Sequence, residues 1–416
     1  MTGDPIVSRV TGHETPYQQT PSVLYIHIPY CHHKCTYCGF YSLAGRQDID
    51  GYVDAVCCEI ELRHHLNPVR TVYFGGGTPT LLSATQLERI VQAIRDNCDL
   101  SQLEETTIEA NPENLTPEYV ESLANLGFFN RLSIGIQSFN DKELKILNRV
   151  HNSRQAMDAI ENAAKGGFTN ISVDLIMGLP YQTVEGWKAN LDRLTDNAAF
   201  SSIKHLSCYE LTVEPGSILE RQLQRGMVTL CDDETVGDQY QALQSWCRVH
   251  GFEQYEISNY CRPGFHSRHN SRYWDRTPYV GIGAAAHSFD GQRRRWNIAD
   301  AEAYIEGCRT SSAGTPFPSS TGARVPSWAS NSRNGVIPYE EELLTAKDAY
   351  NEYVMTSLRT VRGIEISKID KEYLPQLLRT AETFEKKGLL TIVNGFIVPT
   401  TTGLLHADGI AERMFV

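Results

Sequence analysis

Short apolar runs alternate with amphipathic stretches along the first half of the chain. Six runs have the length and composition of buried strands: Val23–Ile28, Thr71–Phe74, Thr106–Glu109, Arg131–Ile136, Asn170–Ile176 and Ile203–Leu211. Five intervening stretches have the spacing of amphipathic helices: Ile49–His64, Leu82–Asn97, Pro117–Leu126, Asp141–Lys165 and Val184–Leu194. This alternation predicts an α/β fold in which helices cover the outside of a parallel sheet. Right-handed crossovers curl such a sheet, so six units predict a partial (βα)6 barrel that is open on one side.

The pattern changes after the sixth strand. A helix near Asp232–His250 and short mixed elements predict an α/β extension, and Thr310–Pro338 has the composition of a flexible linker or loop. Three helices and two short strands then predict a winged-helix-like unit: Glu340–Arg359, Ile366–Asp370, Leu374–Lys387, Leu389–Val393 and Gly395–Pro399. We therefore divide the chain into an N-terminal lead, the barrel, the extension, the linker and a C-terminal domain: residues 1–21, 22–212, 213–309, 310–338 and 339–416.

Charge and composition narrow the class of protein. The chain has 416 residues with 38 basic and 50 acidic side chains, a net charge of −12. This balance argues against nucleic acid as a partner of the whole chain, and the acidic start of the last segment favours a scaffolding role over DNA binding. No apolar run approaches the roughly 18 residues of a membrane span, and Met1–Thr20 has no basic start followed by an apolar core. We therefore expect a cytoplasmic protein.

Three of the eleven cysteines form a tight cluster in the sequence. Cys31, Cys35 and Cys38 have the spacing Cys-x3-Cys-x2-Cys, and three thiolates favour a soft metal or an iron–sulfur cluster. A structural zinc site needs a further ligand, and His32 and His33 lie in a loop too short to turn onto the same ion. The common ferredoxin spacings supply four cysteines instead of three. Three ligands on a four-iron cluster leave one iron open to an external ligand.

Polar and glycine residues gather at the ends of the predicted strands. Gly75–Gly77 follow the second strand, and Glu109, Gln137 and Asp174 each end a later one. Parallel barrels place their chemistry at this edge, so the sequence predicts one rim that carries the cysteine loop, the glycine loop and these side chains. Arg149, on the helix after the fourth strand, has the geometry to bind a carboxylate. The alternatives are a tight turn for the glycines and helix caps or solvated residues for the acids.

Several strings resemble one family. Tyr25–Cys31 with the three cysteines, Gly75–Thr80, Gly135–Phe139 and Asp174–Pro180 are similar to the oxygen-independent coproporphyrinogen III oxidase family of radical S-adenosylmethionine (SAM) proteins. The resemblance covers about residues 22–308 in motifs and extends to 416 in layout. It implies that Cys31, Cys35 and Cys38 bind a [4Fe–4S] cluster and that Tyr25 packs beside the sulfonium. It also implies that SAM contacts come from further residues: Tyr37, Gly76, Gly77, Thr78, Glu109, Gln137, Arg149 and Asp174.

Two features resemble the HemW-type haem chaperone branch of this family. Phe40 occupies the position at which the oxidases carry a further cysteine, two places after the third ligand. His269–Trp274 fits the haem-binding motif of the chaperones, which makes His269 a candidate axial ligand of haem iron. The alternative is a capped loop histidine over a Tyr–Trp core.

The resemblance to the chaperone branch implies a function in haem delivery. Haem or porphyrin, a flavodoxin-type electron donor and haem-accepting proteins are the partners that it implies, and the acceptor could be membrane-bound. One rival is a radical SAM enzyme that decarboxylates coproporphyrinogen III or opens a porphyrin ring. Another is a catalytically silent fold that keeps its cluster for structure.

Overall fold

The computed structural model describes residues 22–45, 48–63, 68–312 and 337–416. The predicted N-terminal lead and residues 313–336 of the predicted linker lie outside the described residues. Within these ranges, no helix combines the length and the apolar character that crossing a membrane requires.

The predicted barrel is confirmed, and its six main strands begin and end within two residues of the predicted bounds. The strands of this part are β1 (Val23–Ile28), β2 (Tyr30–Cys31), β3 (Leu43–Ala44), β4 (Thr71–Gly76), β5 (Glu105–Ala110), β6 (Arg131–Gln137), β7 (Ile171–Met177) and β8 (Ile203–Glu210). Its helices are α1 (Ile49–Leu62), α2 (Ala84–Asn97), α3 (Pro117–Asn125), α4 (Asp141–Ile146), α5 (Ser153–Lys165) and α6 (Val184–Thr195). Strands β1, β4, β5, β6, β7 and β8 pair in parallel in that order.

The prediction of one helix over Asp141–Lys165 was wrong, because two helices occupy this stretch. Asn148 has a φ of 58°, a left-handed conformation that interrupts a helix. Asn152 then starts α5 with a reciprocal capping box, in which its side chain accepts from the N–H of Gln155. The turn between the helices carries Arg149 toward the end of the barrel.

The extension continues the same sheet on both sides. Its elements are α7 (Ile218–Gln224), α8 (Asp233–Val249), β9 (Glu253–Gln254), β10 (Asn259–Cys261), α9 (Arg268–Trp274), β11 (Tyr279–Ile282), β12 (His287–Phe289), β13 (Arg293–Asn297) and α10 (Ala301–Ser312). Strand β11 pairs in parallel with β1, a seventh parallel strand that the sequence pattern did not predict. Antiparallel pairs follow beyond β8 and beyond β11, and together the strands form a 12-stranded sheet.

The C-terminal part has its own core beneath a three-stranded sheet, in agreement with the predicted winged-helix-like fold. Its elements are β14 (Tyr339–Leu343), α11 (Ala346–Leu358), β15 (Ile364–Glu365), α12 (Leu374–Glu385), β16 (Leu390–Val393), β17 (Phe396–Pro399), α13 (Thr401–Leu405) and α14 (Ala407–Met414). The predicted helix over Glu340–Arg359 was wrong at its start, where β14 forms the edge of the large sheet. Arg294 pairs there with Glu342 on the neighbouring strand, and this cross-strand ion pair favours the extended conformation.

The two faces of the barrel sheet differ in chemistry. The positions that alternate toward the helices are apolar and join the main core: Leu24, Ile26, Val72, Phe74, Ile108, Leu132, Ile134, Val173 and Leu175. The positions that alternate the other way are mostly polar: Tyr25, His27, Thr71, Tyr73, Glu105, Thr107, Glu109, Arg131, Ser133, Ser172, Asp174, His205 and Ser207. Because side chains alternate along a strand, one register places all of these polar groups inside the barrel.

A buried carboxylate ties the extension to the barrel. Glu59 on α1 is fully buried and accepts hydrogen bonds from the hydroxyl of Tyr304 at 2.7 Å and from the N–H of Gly283 at 2.8 Å. Its oxygens also accept from the amide of Asn297 at 2.9 and 3.1 Å and from the guanidinium of Arg63 at 3.3 Å. One carboxylate therefore joins α1, α10 and the strands of the extension.

We expect Glu59→Gln to lower the stability of the whole fold. The substitution keeps the shape of the side chain, but it removes the negative charge that pairs with the buried guanidinium of Arg63, and breaking a buried ion pair costs about 3–5 kcal/mol. The measurement is the urea dependence of unfolding, with the exposed Glu88→Gln on α2 as the matched control. Equal unfolding midpoints for the two variants would contradict the role of Glu59.

Candidate functional site

The cysteine loop begins where β1 ends. Cys31 closes β2, and Cys35 and Cys38 follow in the same loop. All three are free and partly buried, and their thiols lie near enough to influence one another electrostatically. Burial raises the pKa values of Cys31 and Cys38, so these two groups are neutral thiols unless a cation draws off the proton.

Thr36 fixes the loop between the second and third cysteines. Its N–H donates to the carbonyl of Leu147 at 3.1 Å, and its hydroxyl donates to the carbonyl of Ile146 at 3.0 Å. Its own carbonyl accepts from the N–H of Leu219 at 2.8 Å. The end of α4 and the start of α7 thus hold the backbone beside Cys35.

Arg149 approaches this loop from the turn after α4. Its Nη1 lies 3.5 Å from the sulfur of Cys35, and its Nη2 donates to Asn111 Oδ1 at 2.7 Å and to the carbonyl of Gly135 at 2.6 Å. Its Nε is buried without a hydrogen-bond partner. The remaining N–H of the guanidinium is a hydrogen-bond donor left over for a ligand.

Tyr37 is a second neighbour of Cys35. Its ring packs in a small apolar cluster with Leu147, Leu179 and Leu211. Burial raises the pKa of its hydroxyl, which also forms a hydrogen bond with Cys35. Both Arg149 and Tyr37 therefore contact Cys35, and they also influence each other electrostatically.

The donor set fits an iron–sulfur cluster better than a single ion. Among the described residues, no three His, Cys, Asp or Glu side chains are grouped as ligands of one metal ion. Ligands of a four-iron cube lie farther apart than those of one zinc ion, since each binds a different iron. Three thiols supplied by one loop are the type of ligand that such a cluster uses.

The glycine loop lies against the cysteine loop. The N–H of Gly77 donates to the carbonyl of Ile28 at 2.8 Å, and the N–H of Thr78 donates to the carbonyl of Tyr30 at 2.7 Å. Gly76 has a φ of 111°, and a Cβ there would meet the ring of His27 at 2.5 Å. Glycine is therefore required here both for the backbone conformation and for the close approach.

Thr78 connects the two loops to the end of β5. Its hydroxyl donates to the sulfur of Cys31 at 3.7 Å and accepts from the amide of Asn111 at 3.0 Å. Asn111 also binds Arg149, so one continuous set of contacts runs from Cys31 to Cys35. Asn111 is not among the residues predicted from the sequence, because its contacts come from distant parts of the chain.

Two carboxyl groups border the inside of the barrel. Glu109 accepts from the hydroxyl of Tyr73 at 2.7 Å and from the N–H of Gly76 at 3.2 Å, and burial raises its pKa to about 7. Asp174 accepts from the hydroxyl of Ser133 at 3.2 Å, and burial raises its pKa to about 6. Burial makes both carboxyl groups costly to ionise. A cationic ligand, such as an ammonium or sulfonium group, would stabilise their ionised forms.

Tyr25 and Gln137 complete the rim. The ring of Tyr25 stacks on Tyr73 with 6.1 Å between centroids, and its hydroxyl lies 3.0 Å from Nδ1 of His27. Gln137 has a φ of 67° where the pairing of β6 with β7 shifts register. Strained backbone of this kind is concentrated at ligand sites.

His269 lies deeper in the barrel and is 1 % exposed. Its Nδ1 lies 3.0 Å from the hydroxyl of Thr71, its Nε2 lies 3.0 Å from the hydroxyl of Tyr273, and burial lowers its pKa to about 3. In this conformation neither ring nitrogen is available to iron. Haem ligation by His269 thus stays a prediction, and it requires α9 to move.

Two protein-family models and one solved structure are similar to this chain. The model of the Radical SAM superfamily matches residues 25–194, and that of the HemN C-terminal domain matches residues 344–406. The solved structure of coproporphyrinogen III oxidase (HemN) from Escherichia coli, a radical SAM enzyme, covers 96 % of this chain and 91 % of its own with a TM-score of 0.77. Its sequence identity is 24 %, so this likeness shows the fold alone.

Two relatives named heme chaperone HemW align over most of their length. The protein from Lactococcus lactis is 34 % identical over 356 residues, which cover 85 % of this chain and 86 % of the relative. The protein from Mycobacterium tuberculosis is 31 % identical over 406 residues, which cover 96 % of each chain. With this identity over nearly the full length and the fold described above, the chain belongs to the HemW haem chaperone family of the radical SAM superfamily.

Proposed function

We propose that the protein binds a [4Fe–4S] cluster through Cys31, Cys35 and Cys38, binds SAM beside it, and binds haem and delivers it to acceptor proteins. The observation that carries the proposal is the group of three free thiols with the buried guanidinium of Arg149 against one of them. When bound, such a cluster supplies an open iron and one-electron chemistry. A flavodoxin-type protein is the electron donor that we propose.

The rim has a matching group for each charged part of SAM. Glu109 presents a carboxyl group beside the glycine loop, where it suits the cationic amine. Arg149 has an unused Nε donor for the carboxylate. Tyr25 offers an aromatic face to the sulfonium, and an aromatic face attracts a cation. The remaining proposed contacts come from Tyr37, Gly76, Gly77, Thr78, Gln137 and Asp174.

The haem part of the proposal rests on the family and on Phe40. The Phe40 side chain is 67 % exposed. It occupies the position at which the oxygen-independent coproporphyrinogen III oxidases carry a further cysteine. The absence of a thiol at position 40 favours a carrier of haem over the oxidase.

The second candidate function is oxidative decarboxylation of a porphyrinogen. It is favoured by the likeness in fold to the HemN structure, which spans the C-terminal domain as well as the barrel. Fold alone does not decide between the two functions, because one scaffold supports different chemistries.

We expect serine at Cys31, Cys35 or Cys38 to abolish the cluster. Serine removes the soft thiolate that iron requires, so iron and sulfide content and the visible charge-transfer absorption are lost after anaerobic reconstitution. Cys98→Ser, a partly buried cysteine outside the loop, is the control and keeps the full cluster. Tightly bound zinc without iron or sulfide in the wild-type protein would overturn the cluster assignment.

We expect Gly76→Ala to abolish SAM binding, whereas Gly45→Ala preserves it. The two glycines have similar φ values of 111° and 107°, so both variants incur the same kind of backbone strain, about 1–3 kcal/mol. Only at Gly76 does the added Cβ collide with a neighbour, because nothing lies within 4 Å of the position at Gly45. Titration of the reconstituted proteins with SAM, together with thermal unfolding, separates the collision from the strain. Equal SAM affinities would contradict the proposed place of SAM.

We expect one anaerobically reconstituted sample to bind haem and to leave coproporphyrinogen III unchanged. Haem titration is followed by the Soret band, and turnover is followed by the formation of protoporphyrinogen in the presence of SAM and a reductant. Transfer of the bound haem to an apo haem protein completes the test. Formation of protoporphyrinogen would replace the chaperone function with the oxidase.

A further inference from the structure

Helix α9 is anchored on the inner face of the barrel. Ser267 caps the helix by accepting from the N–H of Asn270 at 3.2 Å. The carboxylate of Glu105 on β5 accepts from the N–H groups of Arg268 and His269, each at 2.9 Å. The first turn of α9 is therefore bound to a strand whose other end reaches the candidate site.

The ring of His269 is held at two points and packs against a tyrosine. Thr71 contacts its Nδ1 and Tyr273 contacts its Nε2, both at 3.0 Å, so the ring cannot rotate without losing a bond. Its centroid lies 4.9 Å from that of Tyr73. The orientation of Tyr73 is thus set from behind by a fixed imidazole.

Tyr73 lies between His269 and Tyr25, and its hydroxyl points at Glu109. The two flanking rings lie 4.9 and 6.1 Å from its centroid, and its hydroxyl donates to Glu109 Oε1 at 2.7 Å. The second oxygen of Glu109 accepts from the N–H of Gly76 at 3.2 Å. A line of direct contacts therefore runs from α9 to the glycine loop.

We infer that His269 is a positioning residue: by packing behind Tyr73 it holds the carboxyl group of Glu109 at the glycine loop, where SAM binds. The inference rests on the proposed SAM site and gives the His269–Trp274 motif a role inside the barrel. Glu105 and Glu109 lie four residues apart on the same face of β5. Glu105 anchors α9, and the position of α9 in turn fixes Glu109 through His269 and Tyr73.

The surroundings of Glu109 supply a readout that general destabilisation would not change. The titratable groups that act on Glu109 or are influenced by it are one acid and four phenols: Asp174, Tyr25, Tyr73, Tyr209 and Tyr273. Burial and the charge of Asp174 together raise the pKa of Glu109 to about 7, although the hydrogen bond from Tyr73 lowers it. Loss of that hydrogen bond therefore raises the pKa of Glu109. The ionised carboxylate, which binds a cationic amine, then forms only at a higher pH.

The test is the pH dependence of SAM affinity in reconstituted wild-type, Tyr73→Phe and His269→Gln proteins. Tyr73→Phe keeps the ring and removes one hydroxyl, so near pH 7 we expect about tenfold weaker binding. As the pH is lowered, we expect the variant to lose its affinity for SAM at a higher pH than the wild type does. His269→Gln shifts the profile in the same direction. His250→Gln, a histidine stacked on Trp246 far from the barrel interior, is the control and leaves the profile unchanged.

Haem titration and cluster content of the same samples distinguish the failures. We expect His269→Gln to retain the iron and sulfide content of the wild-type protein. Wild-type SAM affinity in Tyr73→Phe and His269→Gln would overturn the positioning role and leave the proposed function intact. Loss of the haem spectrum in His269→Gln with unchanged SAM affinity would instead make His269 the haem ligand. A wild-type protein that binds the cluster but not SAM would refute the proposed SAM site and the inference with it.

Discussion

The polar inner face of the barrel is the constraint on which the site depends. The outward positions of the same strands are apolar and packed beneath helices, so a slip of one residue would bury Glu109 or Asp174 in the core. With the register fixed, the inward polar groups must bind one another. Tyr73 with Glu109 and Ser133 with Asp174 show how they do so. The candidate site is therefore one region of a network that the fold itself requires.

The sequence was sufficient for the barrel because each strand is a short segment with regularly placed apolar residues, and amphipathic helical patterns separate one strand from the next. It was insufficient where a distant partner decides the conformation. Glu340–Glu342 have the composition of a helix, but Arg294–Trp296 on the distant strand β13 pair with them as a strand. The break between α4 and α5 likewise depends on Asn148 and on the cap at Asn152, which interrupt a pattern that otherwise continues with helical periodicity.

The same division applies to the site. The cysteines and Gly75–Gly77 were predicted because each motif is local in the sequence. Asn111 and Tyr73 act through hydrogen bonds to residues on other segments of the chain. These contacts depend on which strands lie side by side, and the local sequence around each residue does not reveal that order. His269 shows the limit most clearly, since a histidine near aromatic residues fits an axial ligand and a buried core residue equally well. Its partner Thr71 lies 198 residues away, so only the fold distinguishes the two.

The two roles considered for His269 exclude each other in one conformation. To bind iron, the ring has to release Thr71 or Tyr273 and leave its place behind Tyr73. Tyr73 then no longer has the support that directs its hydroxyl to Glu109. By linkage, a ligand held by Glu109 opposes this withdrawal, and a ligand on the withdrawn ring opposes the ordering of Glu109 to the same extent. Because the ring of His269 cannot hold both positions at once, a haem bound by this residue and a SAM bound at the glycine loop would compete for one arrangement of side chains.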